Sequence, residues 1–201
     1  ARPRIHQPQR FAATMTQVSN PLFGLSPSSW VERHASMIAP GARVLDLAAG
    51  HGRQSIFLAA RGARVLAVDR NAAALASFAD RSGIVTRVAD LEADAWPLQG
   101  ERFDAVVCVH YLYRPRLANL LAMLGEGGVL IYETFAEGNE AFGRPSNPAY
   151  LLRDGELLEL VRDRMTVVAF EQGVTPQYGT SAVVQRIAAV GRSPWPPPLT
   201  A

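Results

Sequence analysis

Residues 44–53 read VLDLAAGHGR: an apolar run with one carboxylate inside it, Asp46, and then two glycines a residue apart, Gly50 and Gly52. The segment that follows, RQSIFLAARG (53–62), carries apolar residues at three- and four-residue spacing and stops at glycine, so the stretch reads as strand, turn and helix. In an open α/β sheet, ligands sit beyond the carboxyl ends of the strands, and the first strand-to-helix turn is the usual place. Glycines there let backbone approach a ligand without a Cβ in the way, and the helix start supplies unpaired N–H groups. A dinucleotide fingerprint would require Gly-x-Gly-x-x-Gly, but the third place is Ser55 and Asp46 would face an anionic pyrophosphate. The acid suits a ligand with a positive ammonium group instead.

From this stretch onward, short apolar runs alternate with helical patterns, which predicts βαβ units around a mostly parallel sheet. The strands are expected at 42–48, 63–69, 83–90, 103–110, 127–135, 164–172 and 181–191, with helices over 53–62, 71–83, 114–128 and 153–164. The first four runs are almost continuously apolar, as for strands buried on both faces. The last two strands are joined by GVTPQYGT (173–180), which favours an antiparallel hairpin. A helix over SPSSWVERHASMIAP (26–40), capped by Ser26 or Ser28, precedes the first strand. FAEGNEAFGRPSNPAY (135–150) has no clear period and reads as a long loop.

The chain has 201 residues, 48% hydrophobic and 19% charged, with a net charge of +2 and a pI near 9.0. That composition fits one sizeable core and does not demand nucleic acid. The expected organisation is a flexible N-terminal arm (1–20), one domain (21–191) and an extended proline-rich tail (192–201). The single cysteine, Cys108, lies in the apolar run FDAVVCVHYL and is read as a buried small side chain. No window approaches 18 apolar residues and the start has no apolar signal segment, so a cytoplasmic location is expected.

The motif Asp46-Leu47-Ala48-Ala49-Gly50-His51-Gly52 resembles the D-x-G-x-G-x-G motif of class I S-adenosylmethionine-dependent methyltransferases, with Ala48 in place of the first glycine. Asp69 ends the second strand, where that family has an acid for the ribose hydroxyls. Asp90 ends the third, where the family's acid meets the adenine amino group. The resemblance spans about positions 28–191 and is to a small bacterial branch similar to the tellurite-resistance type. It implies a seven-stranded sheet of order 3-2-1-4-5-7-6, strand 7 antiparallel, with helices on both faces. It also implies S-adenosylmethionine as cofactor and S-adenosylhomocysteine as product.

On this resemblance the cofactor-binding residues are Asp46, Ala48, Gly50, Gly52, Asp69, Arg70, Asp90, Leu91, Val109 and His110. Tyr111, Tyr113, Arg114, Glu133 and Arg144 are expected on the acceptor side, and no metal site is implied. Asn139, Phe142 and Asn147 belong to the same loop. His110 is a candidate general base, with a strand-end hydrogen-bonding role as the plainer alternative. Glu133 and Arg144 either face the acceptor or form an ion pair that holds the loop. Trp30 is read as core packing, with closure over the cofactor together with Arg33 as the sharper alternative. The acceptor is expected to be a small molecule. A tRNA or rRNA nucleoside, or a non-catalytic role in binding the cofactor, are the other readings. The sequence after the fourth strand is C-V-H-Y and lacks the [N/D]-P-P-[Y/F/W] signature of amino-methylating nucleic-acid enzymes.

Overall fold

The computed structural model describes residues 26–176 and 181–192; the expected arm and all but the first residue of the expected tail lie outside these, as do residues 177–180 of the last hairpin loop. Seven strands form one sheet: β1 (Arg43–Leu47), β2 (Arg64–Asp69), β3 (Ile84–Val88), β4 (Phe103–Val109), β5 (Leu124–Phe135), β6 (Met165–Thr175) and β7 (Ala182–Gly191). Their order is 3-2-1-4-5-7-6, as the resemblance implies. β1 to β5 are parallel, and β7 pairs antiparallel with both β5 and β6. Among the described residues five α-helices accompany them: α1 (Ser29–His34), α2 (Arg53–Ala60), α3 (Ala72–Ala76), α4 (Leu117–Ala122) and α5 (Glu156–Val161).

The period-two alternation of each strand divides its apolar residues between two cores. Leu45, Leu47, Leu66, Val68, Val106 and Cys108 join the cluster that holds Leu120, Leu121, Leu157 and Val161 of α4 and α5. Val44, Val65, Ala67, Val107 and Val109 join the cluster of Trp30, Leu58, Leu75 and Phe78 on the other face. Helices therefore cover both faces, and the central strands read as continuous apolar runs because neither face meets water.

The elements differ from expectation mostly at their ends. The helix expected over 114–128 is a 3-10 turn at Arg114–Arg116 and the short α4, and β5 starts at Leu124, where it pairs with Phe103. A Cβ on Gly128 would lie 3.0 Å from the Gly125 carbonyl oxygen, so the glycine run allows a tight crossing into the sheet that a helical reading does not anticipate. The helix expected over 71–83 stops at Ala76, where the Ser77 hydroxyl donates back to the Ala74 carbonyl (2.6 Å) and competes with helix continuation.

Ser28, one of the two expected caps, accepts the Trp30 N–H. It also donates its own N–H to Gln54 Oε1 (3.0 Å) and its hydroxyl to Glu133 Oε1 (3.0 Å). Trp30 is fully buried and donates its indole N–H to the Ile187 carbonyl. It is core packing, and it joins α1 to β7. Ser28→Ala would remove the cap and a hydroxyl donor from a buried carboxylate, a loss of about 2–3 kcal/mol from the two effects together. Urea unfolding of the variant would show it as a lower midpoint at unchanged slope.

Candidate functional site

The carboxyl ends of β1, β2 and β4 lie side by side at one edge of the sheet, and the turn after β1 occupies that edge. Ala48 (φ +58°), Gly50 (+54°) and Gly52 (+74°) all take the left-handed backbone region. A Cβ on Gly52 would fall 2.5 Å from the Phe78 ring, so this glycine is required by packing. At Gly50 a Cβ would meet open space, so the glycine there keeps clear the place a ligand would pass. Ala48 holds a left-handed conformation that costs an L-residue about 1 kcal/mol, which is the physical reason the family's motif has glycine there.

Three acids surround this turn. The Asp46 carboxylate is buried and accepts the Ser55 hydroxyl (2.6 Å); burial pushes its pKa up to about 6 against the opposing pull of that bond and of Arg53. Asp69 accepts the Gly50 N–H (2.8 Å) on one oxygen and the Asn71 N–H (2.8 Å) on the other, so it splints the turn to β2. Asp90 is exposed just beyond β3 and accepts the Glu92 N–H. A carboxylate can accept about four hydrogen bonds, so ribose and amino donors fit Asp69 and Asp90 beside those backbone bonds. An ammonium fits the acid at Asp46. Arg70 is exposed and Leu91 buried next to these acids.

At the end of β4, Val109 is buried and His110 takes a left-handed backbone conformation (φ +59°), its N–H donating to the Glu133 carbonyl. Its imidazole stacks on Phe135 with centroids 4.8 Å apart, Nδ1 lies 3.3 Å from Arg53 Nη2, and Nε2 lies 3.8 Å from Glu133 Oε1. Burial, and then the Arg53 charge, push its pKa down to about 3. A group so far below neutrality is a weak base, which favours the hydrogen-bonding role for His110.

Glu133 is fully buried between Ser28 and Arg186, with Arg186 Nε at 3.4 Å, and Arg186 reaches on to Glu171, which also pairs with Arg33. Arg144 is exposed on its loop. The expected Glu133–Arg144 pair is therefore not the one this carboxylate uses, because β7 and α1 bring Arg186 and Ser28 to it first. His110 and Glu133 converge, and Arg144 does not join them.

Arg114 is likewise redirected. It binds Glu156 through Nε (2.7 Å) and Nη2 (2.8 Å), and donates to the carbonyls of Ala149 (3.0 Å) and Leu151 (2.6 Å). It clamps the end of the 135–152 segment. Asn139, in the same loop, is buried and ties the segment to itself and to β7 through Pro145 O and the Val183 N–H. Phe142 and Tyr150 remain exposed, as does Asn147, which caps the turn at Pro148–Tyr150. Tyr111 has its carbonyl pinned by the Tyr132 hydroxyl (2.7 Å). Its own hydroxyl is buried and its pKa is raised by burial and then by Glu92 and Asp90, which puts the ring on the side of the third acid. Tyr113 is half-buried before the 3-10 turn.

Sequence reasoning missed Arg53, Gln54, Phe135 and Arg186. Arg53 and Gln54 follow the glycine turn directly, so their place at the site was available from adjacency. Arg186 lies 53 residues from Glu133 in the chain, and only the β5–β7 register pairs them.

Residues 44–128 match the family model described as a methyltransferase domain. Demethylmenaquinone methyltransferase of Clavibacter sepedonicus is 36% identical over 116 residues, which are 53% of this chain and 47% of that protein. The chain thus spans about half the length of this curated relative. Among solved structures, TehB from Haemophilus influenzae superposes with a TM-score of 0.68 at 21% identity, over 81% of this chain and 61% of the other. The 1,6-didemethyltoxoflavin-N1-methyltransferase of Burkholderia thailandensis, with bound 1,6-didemethyltoxoflavin and S-adenosylhomocysteine, gives 0.59 at 22% identity over 82% and 79%. The central part of the chain, residues 44–128, thus matches a methyltransferase domain. The fold of the chain is similar to that of TehB.

Arg114→Ala would release the 148–151 backbone and leave the nearly buried Glu156 without its bidentate partner. A loss of about 2–4 kcal/mol is expected. Limited chymotrypsin digestion should cut after Phe142 or Tyr150 several times faster in the variant than in the parent.

Proposed function

We propose that this chain transfers a methyl group from S-adenosylmethionine to a small-molecule acceptor and releases S-adenosylhomocysteine. The observation that carries the reading is the alignment of Asp46, Asp69 and Asp90 at the ends of three adjacent parallel strands around a turn that Gly50 leaves open. Asp46 offers a counter-charge to the methionine ammonium, Asp69 accepts from the ribose hydroxyls, and Asp90 accepts from the adenine amino group. Arg70, Leu91, Val109 and His110 border the same site. The cofactor supplies a methyl carbon already activated by a sulfonium. What remains for the protein is to orient the acceptor and exclude water. A small acceptor is supported by the quinone and toxoflavin methyltransferases among the similar proteins. A cytoplasmic location goes with this reading: among the described residues no helix is long and apolar enough to cross a membrane, and the one cysteine is buried as a free thiol.

Calorimetric titration with S-adenosylhomocysteine tests the cofactor assignment. Saturable binding is expected, weakened about tenfold or more, on the order of 1.4 kcal/mol, by Asp69→Ala. No binding to the parent protein would overturn the reading.

The same titration across pH addresses Asp46. Its raised pKa means that the carboxylate is ionised above about pH 7 and is neutralised as the pH falls through about 6. A ligand ammonium favours the ionised form, so affinity should be flat above pH 7 and decline below 6, and Asp46→Asn should flatten that decline.

A further inference from the structure

The groups at the end of β4 bear on what the acceptor is and on how it loses its proton. A guanidinium nitrogen donates and does not accept, so the contact of Arg53 Nη2 with His110 Nδ1 (3.3 Å) makes Nδ1 the acceptor and puts the ring proton on Nε2, toward Glu133. The basic lone pair of His110 is thereby engaged by Arg53, in keeping with its lowered pKa.

Of the other titratable groups near the end of β4, the Tyr111 hydroxyl is buried with its pKa raised by burial, and the rest are engaged. Glu133 takes the Ser28 hydroxyl and faces Arg186, and Asp46 takes the Ser55 hydroxyl. Cys108 is buried with its pKa raised, and Tyr132 donates its hydroxyl to a carbonyl. All twenty basic residues of the chain are arginine, so no lysine is available as a base. Of the other described histidines, His34 packs edge-on against Trp30 and His51 is exposed on the β1–α2 turn.

What this corner presents is positive charge and a flat surface. Arg53 is the first residue of the eight-residue α2, where the helix dipole adds to its charge. A guanidinium has five N–H donors in a planar fork, a geometry that can serve His110 and a further acceptor together. His110 and Phe135, both partly exposed, form a stacked pair beside it.

We propose, on the methyl-transfer reading, that the acceptor is a planar aromatic anion, an ionised phenol, thiophenol or acidic ring N–H. It enters as its conjugate base beside Arg53 and against the His110–Phe135 pair, with no proton acceptor supplied by the described residues. A lone pair of the ionised O, S or N atom forms the new bond to the methyl carbon. The methyl–sulfonium bond breaks with its electron pair left on sulfur, so negative and positive charge cancel and no proton moves at the site. Arg53 favours the anionic form on binding, and His110 is a positioning residue that holds the guanidinium and the stacking surface.

The first test needs no turnover. 4-Nitrophenol is added to the protein saturated with S-adenosylhomocysteine, and the phenolate absorbance is followed across pH. The bound phenol should titrate about one unit or more below its value in water, a tenfold or greater preference for the anion. Arg53→Gln should return it close to the free value while changing S-adenosylhomocysteine affinity by less than about threefold.

With S-adenosylmethionine and a series of ring-substituted phenols and thiophenols, the acidic limb of kcat/KM should move with the pKa of the acceptor and survive His110→Asn and His51→Gln. The proposal is overturned by absence of probe binding, by a bound phenol that titrates at or above its free value, or by no turnover of any acceptor. It is equally overturned by a limb that ignores the acceptor or vanishes in either histidine variant. Loss of S-adenosylhomocysteine binding in Arg53→Gln would overturn it too, by assigning that side chain to the cofactor. Failure of the parent protein to bind S-adenosylhomocysteine is a separate result that removes the cofactor reading itself.

Discussion

The turn at the end of β1 takes a backbone path that side chains resist, with Ala48, Gly50 and Gly52 in the left-handed region, and one carboxylate holds it there. Asp69 accepts the Gly50 N–H while its second oxygen accepts the Asn71 N–H, so the ends of β1 and β2 and the start of α3 are tied at one point. Gly52 must lie against the Phe78 ring for the chain to turn into α2. The position of Arg53, Gln54 and Ser55, and through them the contacts to His110, Ser28 and Asp46, follows from that turn. A small error in its path would displace every polar group at the site.

A second constraint closes the other flank. Glu133 is a carboxyl group with no exposure, and such a group is tolerated only with partners. Ser28, Arg186 and the edge of His110 surround it, and each comes from a different element. The same carboxylate that sequence reasoning assigns to an acceptor therefore organises α1, β5 and β7 around the site. Arg114 does comparable work for the 135–152 segment, whose end it grips through Glu156 and two well-formed bonds to backbone carbonyls. Charge placed for architecture and charge placed for chemistry are side by side here, and only their partners tell them apart.

Much of the fold was legible because the signals are local and periodic. Continuous apolar runs such as 103–109 can be stable only when both faces are covered, and that forces helices onto each side of a parallel sheet. The glycine turn and its three acids were legible for a related reason: each lies within a residue or two of a strand end, so the strand assignments carry them to one edge. Element ends were less so, since Ser77 diverts its helix through one side-chain bond and the 125–128 glycines enter the sheet.

The sequence by itself thus determined the sheet, its order through the family resemblance, the turn at 48–52 and the acids around it. Tertiary structure alone decided the partners of the charged groups. Arg186 reaches Glu133 through the β5–β7 register, Arg114 turns away to Glu156, and Arg53 takes the lone pair of His110. The physical reason is that backbone periodicity is written in neighbouring residues, whereas a long charged side chain goes wherever the folded chain brings an opposite charge out of water, and that distance is set by packing.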